Sequence, residues 1–464
     1  MESMTTHEKA LDVNMDPSRY GTFAEIGAGQ EVGRWFFRVG GAAGTIAKTI
    51  SAYDKKVSDS IYGTAQRYVS SGRLLAMLEE EYDLNVKRLD QERGHESAFF
   101  AFADTVSAQN YLGTADCHGW MGIRFQPHPR SPMSQIILHV RMLDRDVLMQ
   151  HEALGVLGVN LVYGASRLSD RPEIFLASLL DNLGKGRIEI DMVEFTGAAF
   201  EEVDHRLMSL FLVEYGLSNA AMFSARGAVL RPSEVLYKRP VILQRGRFRP
   251  PTKIHADIQR RALERFSADP NVDADRIVSL REISLRELRE TTDETVEDFL
   301  ERISALTSAN QSVLVSDCPE FYLAVDYLAR FGAKQIALPM GITSFIDLIH
   351  EDRFTHLRGG ILEAVGRLFG LGVLIYVYPG LDPKSGRRID LASLDVPQPV
   401  SQLVEYLVEQ GYVRPLEGLP DNELDLRSDD VLAMLRGGDQ AWESHVEPEV
   451  IEVIKSDGLF GFKA

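Results

Sequence analysis

The chain has 464 residues, of which 45% are hydrophobic and 25% charged, a composition typical of a globular protein with more than one core. Its 50 lysines and arginines against 68 aspartates and glutamates give a formal net charge of −18, which argues against general nucleic-acid binding. No apolar run reaches the roughly 20 residues of a membrane helix, and the polar opening is unlike a signal peptide, so we expect a cytoplasmic protein with no membrane partner. Two cysteines are too few for a disulfide framework.

The composition of the first 53 residues changes at about residue 20. Residues 1–20 are polar and are interpreted as an arm that becomes ordered only when another segment holds it. Residues 21–53 are rich in glycine and aromatic side chains. Gly27, Gly29 and Gly33 form the pattern GxGxxxG, which is one residue longer than the dinucleotide fingerprint GxGxxG. If TFAEI is a strand, Gly27 and Gly29 are therefore candidate phosphate-binding residues at the start of a helical stretch. Close packing between helices is the alternative explanation for these glycines.

The next elements follow from hydrophobic periodicity and breakers. Ser70 or Ser71 can cap a helix. The segment PHPRSPMS separates two strands that we expect to pair as a hairpin. The predicted elements in chain order are strands at 98–102, 120–126 and 135–143, a helix at 146–156, a strand at 158–164, a helix at 172–183 and a strand at 187–195.

Two candidate sites lie among these elements. Glu189 and Asp191 alternate with apolar residues, so one strand face carries both carboxylates, which could bind magnesium or act as a general base. A solvated strand edge is the alternative. Cys117 and His118 could supply a thiolate and a base, but neighbours on an extended chain point opposite ways, so His118 is interpreted as structural.

The piece RPPT at 249–252 is the predicted domain boundary. Beyond it, apolar strands at 276–283, 312–316, 335–339 and 373–379 alternate with amphipathic helices, which predicts a parallel sheet covered by helices on both faces. The expected organisation is therefore α/β, with an arm at 1–20, a mixed α/β domain at 21–250 and a doubly wound domain at 251–464 that ends in a helical tail.

A local excess of positive charge stands out in this acidic chain. Arg245, Arg247 and Arg249 are spaced two apart, so on a strand they would form a comb of arginines on one face. Lys238 adds to this cluster. The comb could bind a phosphate-bearing ligand, because guanidinium groups match phosphate oxygens, or an acidic surface of another subunit.

The segment YGTFAEIGAGQEVGRWFFRVGGAAGTIAKTISAYD resembles the opening of a bacterial family of about 460 residues. Further likeness lies in HGWMGIRFQ, LYKRP, RGRFRPPT and RGGILEAVGRLFG. Members of this family are often labelled TonB-dependent receptor or nicotinate-nucleotide adenylyltransferase. The resemblance implies no particular catalytic residues.

Each of these two protein classes has sequence features that can be sought in this chain. A TonB-dependent receptor needs an exported precursor and many strands of roughly ten alternating residues, which the pattern here does not predict. Adenylyltransferases of the HxGH type place two histidines at a helix N-terminus soon after the first strand, where they hold the phosphates and the leaving pyrophosphate. The motif HxGH does not occur in this sequence.

Two functions of different class remain open. The first is an enzyme or sensor that binds a nucleotide or another phosphorylated metabolite, with the arginine comb as anion clamp and Glu189 and Asp191 as metal or base candidates. The second is a self-associating structural protein, a homo-oligomer or filament, in which the glycine and aromatic segment and the comb form subunit contacts. The sequence identifies neither a cofactor nor a reaction.

Overall fold

The computed structural model describes residues 4–110, 113, 116–184, 186–285, 295–382, 385–398, 400–420, 424 and 427–463. The chain forms two compact units, Met1–Ser218 and Asn219–Ala464. This division differs from the boundary expected near 250, because residues 220–245 supply three strands to the second sheet. Among the described residues, no helix is both long enough and apolar enough to cross a bilayer.

The first unit contains a six-stranded sheet in the order β2-β1-β3-β4-β5-β6. The first three strands of that order are parallel, and β3 to β6 then run antiparallel in sequence. The predicted hairpin is confirmed, because β4 pairs with β5 over its whole length. The strands are β1 Arg19–Ile26, β2 Ile46–Ile50, β3 Ala98–Ser107, β4 His118–Phe125, β5 Ser134–Met142 and β6 Ile188–Gly197.

Seven α-helices accompany this sheet in the described residues of the first unit. The expected arm is a helix, α1, held by a buried Lys9 whose Nζ lies 2.7 Å from Asp181 Oδ2 and 2.9 Å from Asn160 Oδ1. The ion pair with Asp181 and the hydrogen bond to Asn160 attach the polar segment to the rest of the first unit. The helices are α1 Thr6–Asn14, α2 Glu31–Val39, α3 Lys55–Tyr62, α4 Ser71–Arg93, α5 Val147–Arg167, α6 Pro172–Ser178 and α7 His205–Glu214.

One predicted strand is wrong. Residues 158–164 belong to the single long helix α5, most of which is buried. A short apolar run in a buried helix has the same composition as a buried strand, so periodicity could not separate the two. The glycines of α5 serve close packing, because a Cβ built on Gly158 would lie 2.2 Å from Val32 Cγ2 of α2.

The aromatic side chains of residues 21–53 are mostly inside the first unit. Phe23 and Phe36 are fully buried, and their ring centroids are 4.9 Å apart. Phe37 is 55% exposed. Most of the apolar surface that suggested subunit contacts is therefore covered within one chain, and self-association stays a prediction.

The second unit contains an eight-stranded sheet in the order β16-β13-β12-β9-β10-β11-β7-β8. Six neighbouring strands are parallel, and β7 and β8 extend one edge antiparallel. The predicted doubly wound sheet is confirmed. The strands are β7 Ala220–Phe223, β8 Val229–Leu230, β9 Val241–Arg245, β10 Val278–Ser284, β11 Ser312–Ser316, β12 Ile336–Gly341, β13 Leu374–Tyr378 and β16 Val413–Pro415, with a separate pair β14 Gly380–Leu381 and β15 Arg388–Ile389.

Helix α9 is the element that positions the candidate site of the second unit. Its buried residues Ile258, Ala262 and Phe266 repeat every four positions and pack in one cluster with Ala337 of β12 and Tyr376 of β13. Burial of such side chains contributes about 1.5–3 kcal/mol for each large one. The helices are α8 Pro232–Val235, α9 Lys253–Ser267, α10 Val296–Ser308, α11 Phe321–Arg330, α12 Ile342–Leu348, α13 Gly360–Phe369, α14 Val400–Glu409, α15 Ser428–Gly437 and α16 Pro448–Asp457.

Candidate functional site

The order of the six parallel strands creates a crevice in the second unit. If the six strands are numbered along the chain, so that β9 is strand 1 and β12 is strand 4, their order across the sheet is 3-2-1-4-5-6. The chain therefore winds one way from β9 and the other way from β12, and ligands of such sheets bind where the direction changes, beyond the carboxyl ends of the strands. The β9–β12 ladder has two residue pairs, whereas the β9–β10 ladder has five.

A cavity of about 540 Å³ lies at this point. Its volume is in the range of small-molecule sites. The walls come from the carboxyl ends of the strands, the loop after β9, and the first turns of α9 and α15. Residues from these elements include Gly246, Arg247, His255, Met340, Gly341 and Ser428.

The local sequence explains why a helix begins at the edge of this cavity. The buried strand VILQR ends at Arg245, and two prolines in the following loop leave no backbone N–H to extend a helix backwards. Thr252 then caps α9, forming a capping box in which its backbone N–H donates to Nδ1 of His255 over 3.1 Å. The first turn of α9 is thus fixed in part by His255, which also lines the cavity.

The hydrogen bonds of His255 determine which ring nitrogen carries the proton. A backbone N–H can only donate, so Nδ1 is an acceptor and the proton of the neutral ring resides on Nε2. Burial and the neighbouring Arg281 lower the pKa of His255 to about 3, so the ring is neutral at physiological pH. His255 therefore offers a neutral N–H donor at the N-terminus of a 15-residue helix.

Arg245 braces the strand ends beneath the cavity. Its guanidinium makes a bidentate pair with Glu282 over 2.8 and 3.0 Å and donates to the carbonyl oxygens of Cys318 and Pro319. Glu282 is completely buried and also accepts from Ser316 Oγ over 2.7 Å. This network ties β9, β10 and β11 together, and removing one partner would leave the other charge buried and unpaired.

Charged pairs of a different kind lie nearer the solvent. Arg247 Nη1 is 3.2 Å from Asp429 Oδ2, and their side chains are 36% and 61% exposed. Arg353 also lines this cavity and lies 3.2 Å from Glu320, which is buried. Exposed pairs contribute little to stability, so an anionic ligand can displace the Asp429 carboxylate from Arg247 at small cost.

The predicted arginine comb does not form. The strand ends at Arg245, and Phe248 in the following loop has a φ of 48°, so the alternation of an extended strand is broken. Arg249 pairs with Asp298 over 2.8 Å, so each of the three arginines has a different carboxylate partner. Lys238 precedes β9 and therefore lies at the opposite end of that strand, away from the cavity.

Gly27 and Gly29 do lie in a turn between a strand and a helix. Both have positive φ, 107° and 78°, as the turn from β1 to α2 requires. However, the amides that a phosphate would need are occupied, because the Glu25 carboxylate accepts from the N–H groups of Val32 and Gly33 over 3.0 and 2.9 Å. The side chain of Glu25 fills the role that the sequence suggested for a ligand.

Glu189 and Asp191 are both buried and have different partners. Glu189 Oε1 lies 3.4 Å from Ser218 Oγ, whereas Asp191 Oδ1 lies 2.5 Å from His139 Nδ1. The solvated strand edge considered as the alternative is therefore wrong. Within the described ranges, no three histidine, cysteine or acidic side chains converge as metal ligands would.

Thr252 and His255 were not among the site residues predicted from the sequence. A detectable signal was present: a buried strand, a glycine, two prolines, a capping threonine and then an amphipathic helix. Placing a domain boundary at RPPT assigned the strand and the helix to different domains and hid this pattern. Thr252 and His255 have the spacing of the two histidines in HxGH, with threonine in the first position.

No protein-family model and no curated protein matches this chain. The solved structures that resemble parts of it include the following three. The nicotinic acid mononucleotide adenylyltransferase of Plasmodium falciparum is 12% identical, covers 48% of this chain and 98% of its own, and has a TM-score of 0.29. Competence/damage inducible protein CihA of Agrobacterium tumefaciens is 13% identical over 35% of this chain and 96% of its own, with a TM-score of 0.25. A CinA-superfamily protein of Enterobacter cloacae is 14% identical over 35% and 93%, also at 0.25.

Proposed function

We propose that the second unit binds a nucleotide, with its phosphate groups at the N-terminus of α9. The observation that carries this proposal is the cavity at the switch between β9 and β12, to which α9 contributes the neutral N–H donor of His255. A neutral donor fits phosphate oxygens without the cost of burying another charge. Arg247, whose carboxylate partner is exposed, is the residue best placed to pair with a ligand phosphate.

Nucleotidyl transfer is the reaction that the spacing of Thr252 and His255 favours. In that reaction an acceptor oxygen bonds to the α-phosphorus of a nucleoside triphosphate, and the bond from phosphorus to the pyrophosphate oxygen breaks. The protein then contributes position and stabilisation of charge, because no covalent protein intermediate is needed. His255 Nε2–H and the first N–H groups of α9 would hold the phosphates during this exchange.

The test compares two substitutions at one residue. His255→Asn keeps an acceptor near the position of Nδ1 for the Thr252 N–H but removes the donor at Nε2, whereas His255→Gln can restore a donor there. We expect isothermal titration with magnesium salts of ATP, GTP and CTP to show binding by the wild type. His255→Asn should weaken it at least tenfold and His255→Gln less, because a hydrogen bond to a charged group contributes roughly 1.5–3 kcal/mol.

The exposed His95 of the first unit supplies the control, and His95→Asn should bind as the wild type does. No binding by the wild type, or equal binding by His255→Asn, would contradict the proposal. Pyrophosphate release with nicotinate mononucleotide and other phosphorylated acceptors tests the reaction separately. Binding without release would leave a nucleotide sensor and exclude transfer to those acceptors.

A further inference from the structure

Three polar side chains form a row in the sheet of the first unit. Asp191 Oδ1 is 2.5 Å from His139 Nδ1, and His139 Nε2 is 3.1 Å from His118 Nδ1. Asp191 and His139 are buried, whereas His118 at the start of β4 is half-buried. The row therefore leads from a buried carboxylate to an imidazole that solvent can reach.

An irregularity of the sheet creates this row. His139 pairs with Met192 and Val140 pairs with Ile190, so Asp191 is an extra residue in β6 without an opposite partner in β5. Such β-bulges redirect side chains and are common beside active sites. Here the bulge lies at Asp191, whose carboxylate contacts His139.

The hydrogen bonds fix the tautomer of each ring in turn. A carboxylate can only accept, so His139 carries its proton on Nδ1, and in the neutral ring its Nε2 is then an acceptor. His118 must therefore donate from Nδ1 to His139. This leaves a lone pair on Nε2 of His118, the atom through which an imidazole acts as a base.

A cation lies on the same face of the sheet. Arg141 is directly opposite His118 in the ladder between β4 and β5, so both side chains project to one side. Its Nη2 is 2.8 Å from Asp116 Oδ1, and the side chains of Arg141 and Asp116 are 12% and 68% exposed. An anionic group of a substrate can replace such an exposed carboxylate.

We propose that the first unit holds a second reactive site, in which His118 is the general base for water attacking the acyl carbon of an ester with a negative charge. Arg141 would bind that charge. His139 and Asp191 are positioning residues, because they act on the substrate only through His118. This site and its chemistry are independent of the nucleotide site proposed for the second unit.

The reaction step balances without a cofactor. His118 Nε2 takes a proton from water while the water oxygen bonds to the acyl carbon, and the same proton passes to the leaving oxygen as the ester C–O bond breaks. Burial and the adjacent His139 lower the pKa of His118, which keeps it neutral and able to accept a proton at pH 7. The charges of Asp116, Arg141 and Asp191 also act on His118.

The first test reads the tautomers of the whole, unsubstituted chain by ¹⁵N NMR. We expect His118 and His139 to carry protons on Nδ1 and to have unprotonated Nε2 atoms at pH 7. In Asp191→Asn the new amide can donate to His139, so the tautomers should reverse and the pH profile of any hydrolysis should shift. A proton on Nε2 of His118 in the wild type would overturn the proposal even where the variant fails to fold.

The second test measures hydrolysis of the mono-4-nitrophenyl ester of succinate, with neutral 4-nitrophenyl acetate for comparison. We expect His118→Asn to lose at least tenfold in rate, and Arg141→Gln to remove the preference for the anionic ester. His95→Asn and Cys117→Ser should hydrolyse as the wild type does. Equal rates in His118→Asn, loss of activity in Cys117→Ser, or correct tautomers without hydrolysis would each overturn the proposal.

Discussion

Two of the turns that join a strand to a helix, from β1 to α2 and from β9 to α9, differ in the groups that lie at the start of the helix. In the first, the carboxylate of Glu25 accepts from the N–H groups of Val32 and Gly33. In the second, Thr252 and the neutral His255 stand at the helix start and the turn adjoins a cavity. Glycine in a turn therefore marks its geometry, and the neighbours of the helix amides decide whether a ligand can bind.

The charged groups near the two turns also differ. Glu25 and Asp104 are adjacent on β1 and β3, and burial raises the pKa of Glu25 to about 7 and that of Asp104 well above its ordinary value. An anionic ligand there would meet acidic groups. The cavity after β9 is lined by Arg247 and Arg353 as well as by Glu320 and Asp429, so an anionic ligand would meet cations there.

The largest expected effect comes from the glycines that shape the two turns. A Cβ on Gly27 would lie 2.0 Å from the Val106 carbonyl oxygen at a φ of 107°, so Gly27→Ala should lower the free energy of unfolding by about 3 kcal/mol or more. In Gly246→Ala the atoms nearest to the new Cβ would belong to the Phe248 ring, the closest at 3.0 Å, so this variant should mainly weaken nucleotide binding. Urea unfolding and titration calorimetry on both variants check the contrast, which the reverse pattern would refute.

The pH dependence of stability tests the occupant of the first turn. The folded pKa of Glu25 lies above its ordinary value of 4.5, so its stabilisation is complete below that pH and is lost as pH rises through 7. We expect a loss of up to about 3 kcal/mol between pH 5 and 8 in the wild type. Glu25→Gln should flatten this slope, whereas the exposed Glu96→Gln should not. Identical slopes in the wild type and Glu25→Gln would refute this account.

A substitution at Gly29 tests the effect of backbone strain separately from the effect on ligand binding. It has a φ of 78° and open space around its Cα, so Gly29→Ala should cost only about 1–2 kcal/mol of stability. Gly41, also at positive φ, faces Asn14 at 3.3 Å and should cost somewhat more. If nucleotides bind only at the second turn, both variants should keep wild-type affinity in calorimetry. A loss of affinity would return the phosphate site to the first turn.

The smallest effect concerns the exposed pair at the cavity. Asp429→Asn removes the carboxylate that competes for Arg247 and should raise nucleotide affinity two- to fivefold, a change of roughly 0.4–1 kcal/mol. Arg247→Gln should lower it by a similar factor. Glu417→Gln, at a 94% exposed side chain, is the matched control for loss of a negative charge. An unchanged affinity in both variants of the pair would exclude Arg247 from the site.

Elements with strong local signals could be predicted from the sequence. The bounds of β11, Ser312–Ser316, match the prediction, and the hairpin of β4 and β5 was predicted by prolines between two apolar runs. The doubly wound second sheet followed from the alternation of apolar strands and amphipathic helices. The class of fold was thus determined by periodicity and breakers, which act over a few residues.

The candidate site could be predicted only in part. The parallel sheet was predicted, and Met340 and Gly341 at the end of β12 line the cavity. The arginine comb failed because its geometry assumed a strand that ends at Arg245. His255 and the row from Asp191 to His118 were missed because each depends on residues far apart in sequence or on a bulge.

The sequence by itself determined the α/β class, the order of most elements and the turns that need glycine, since these depend on local sterics and on the spacing of apolar residues. The tertiary structure decided which helix start lies beside a cavity. Glu25 and the amides of α2 are close in sequence, yet only the packing of β1 beside α2 buries the carboxylate against them. The switch between β9 and β12 likewise exists only once strands that are 95 residues apart, Val241 and Ile336, pair in one sheet.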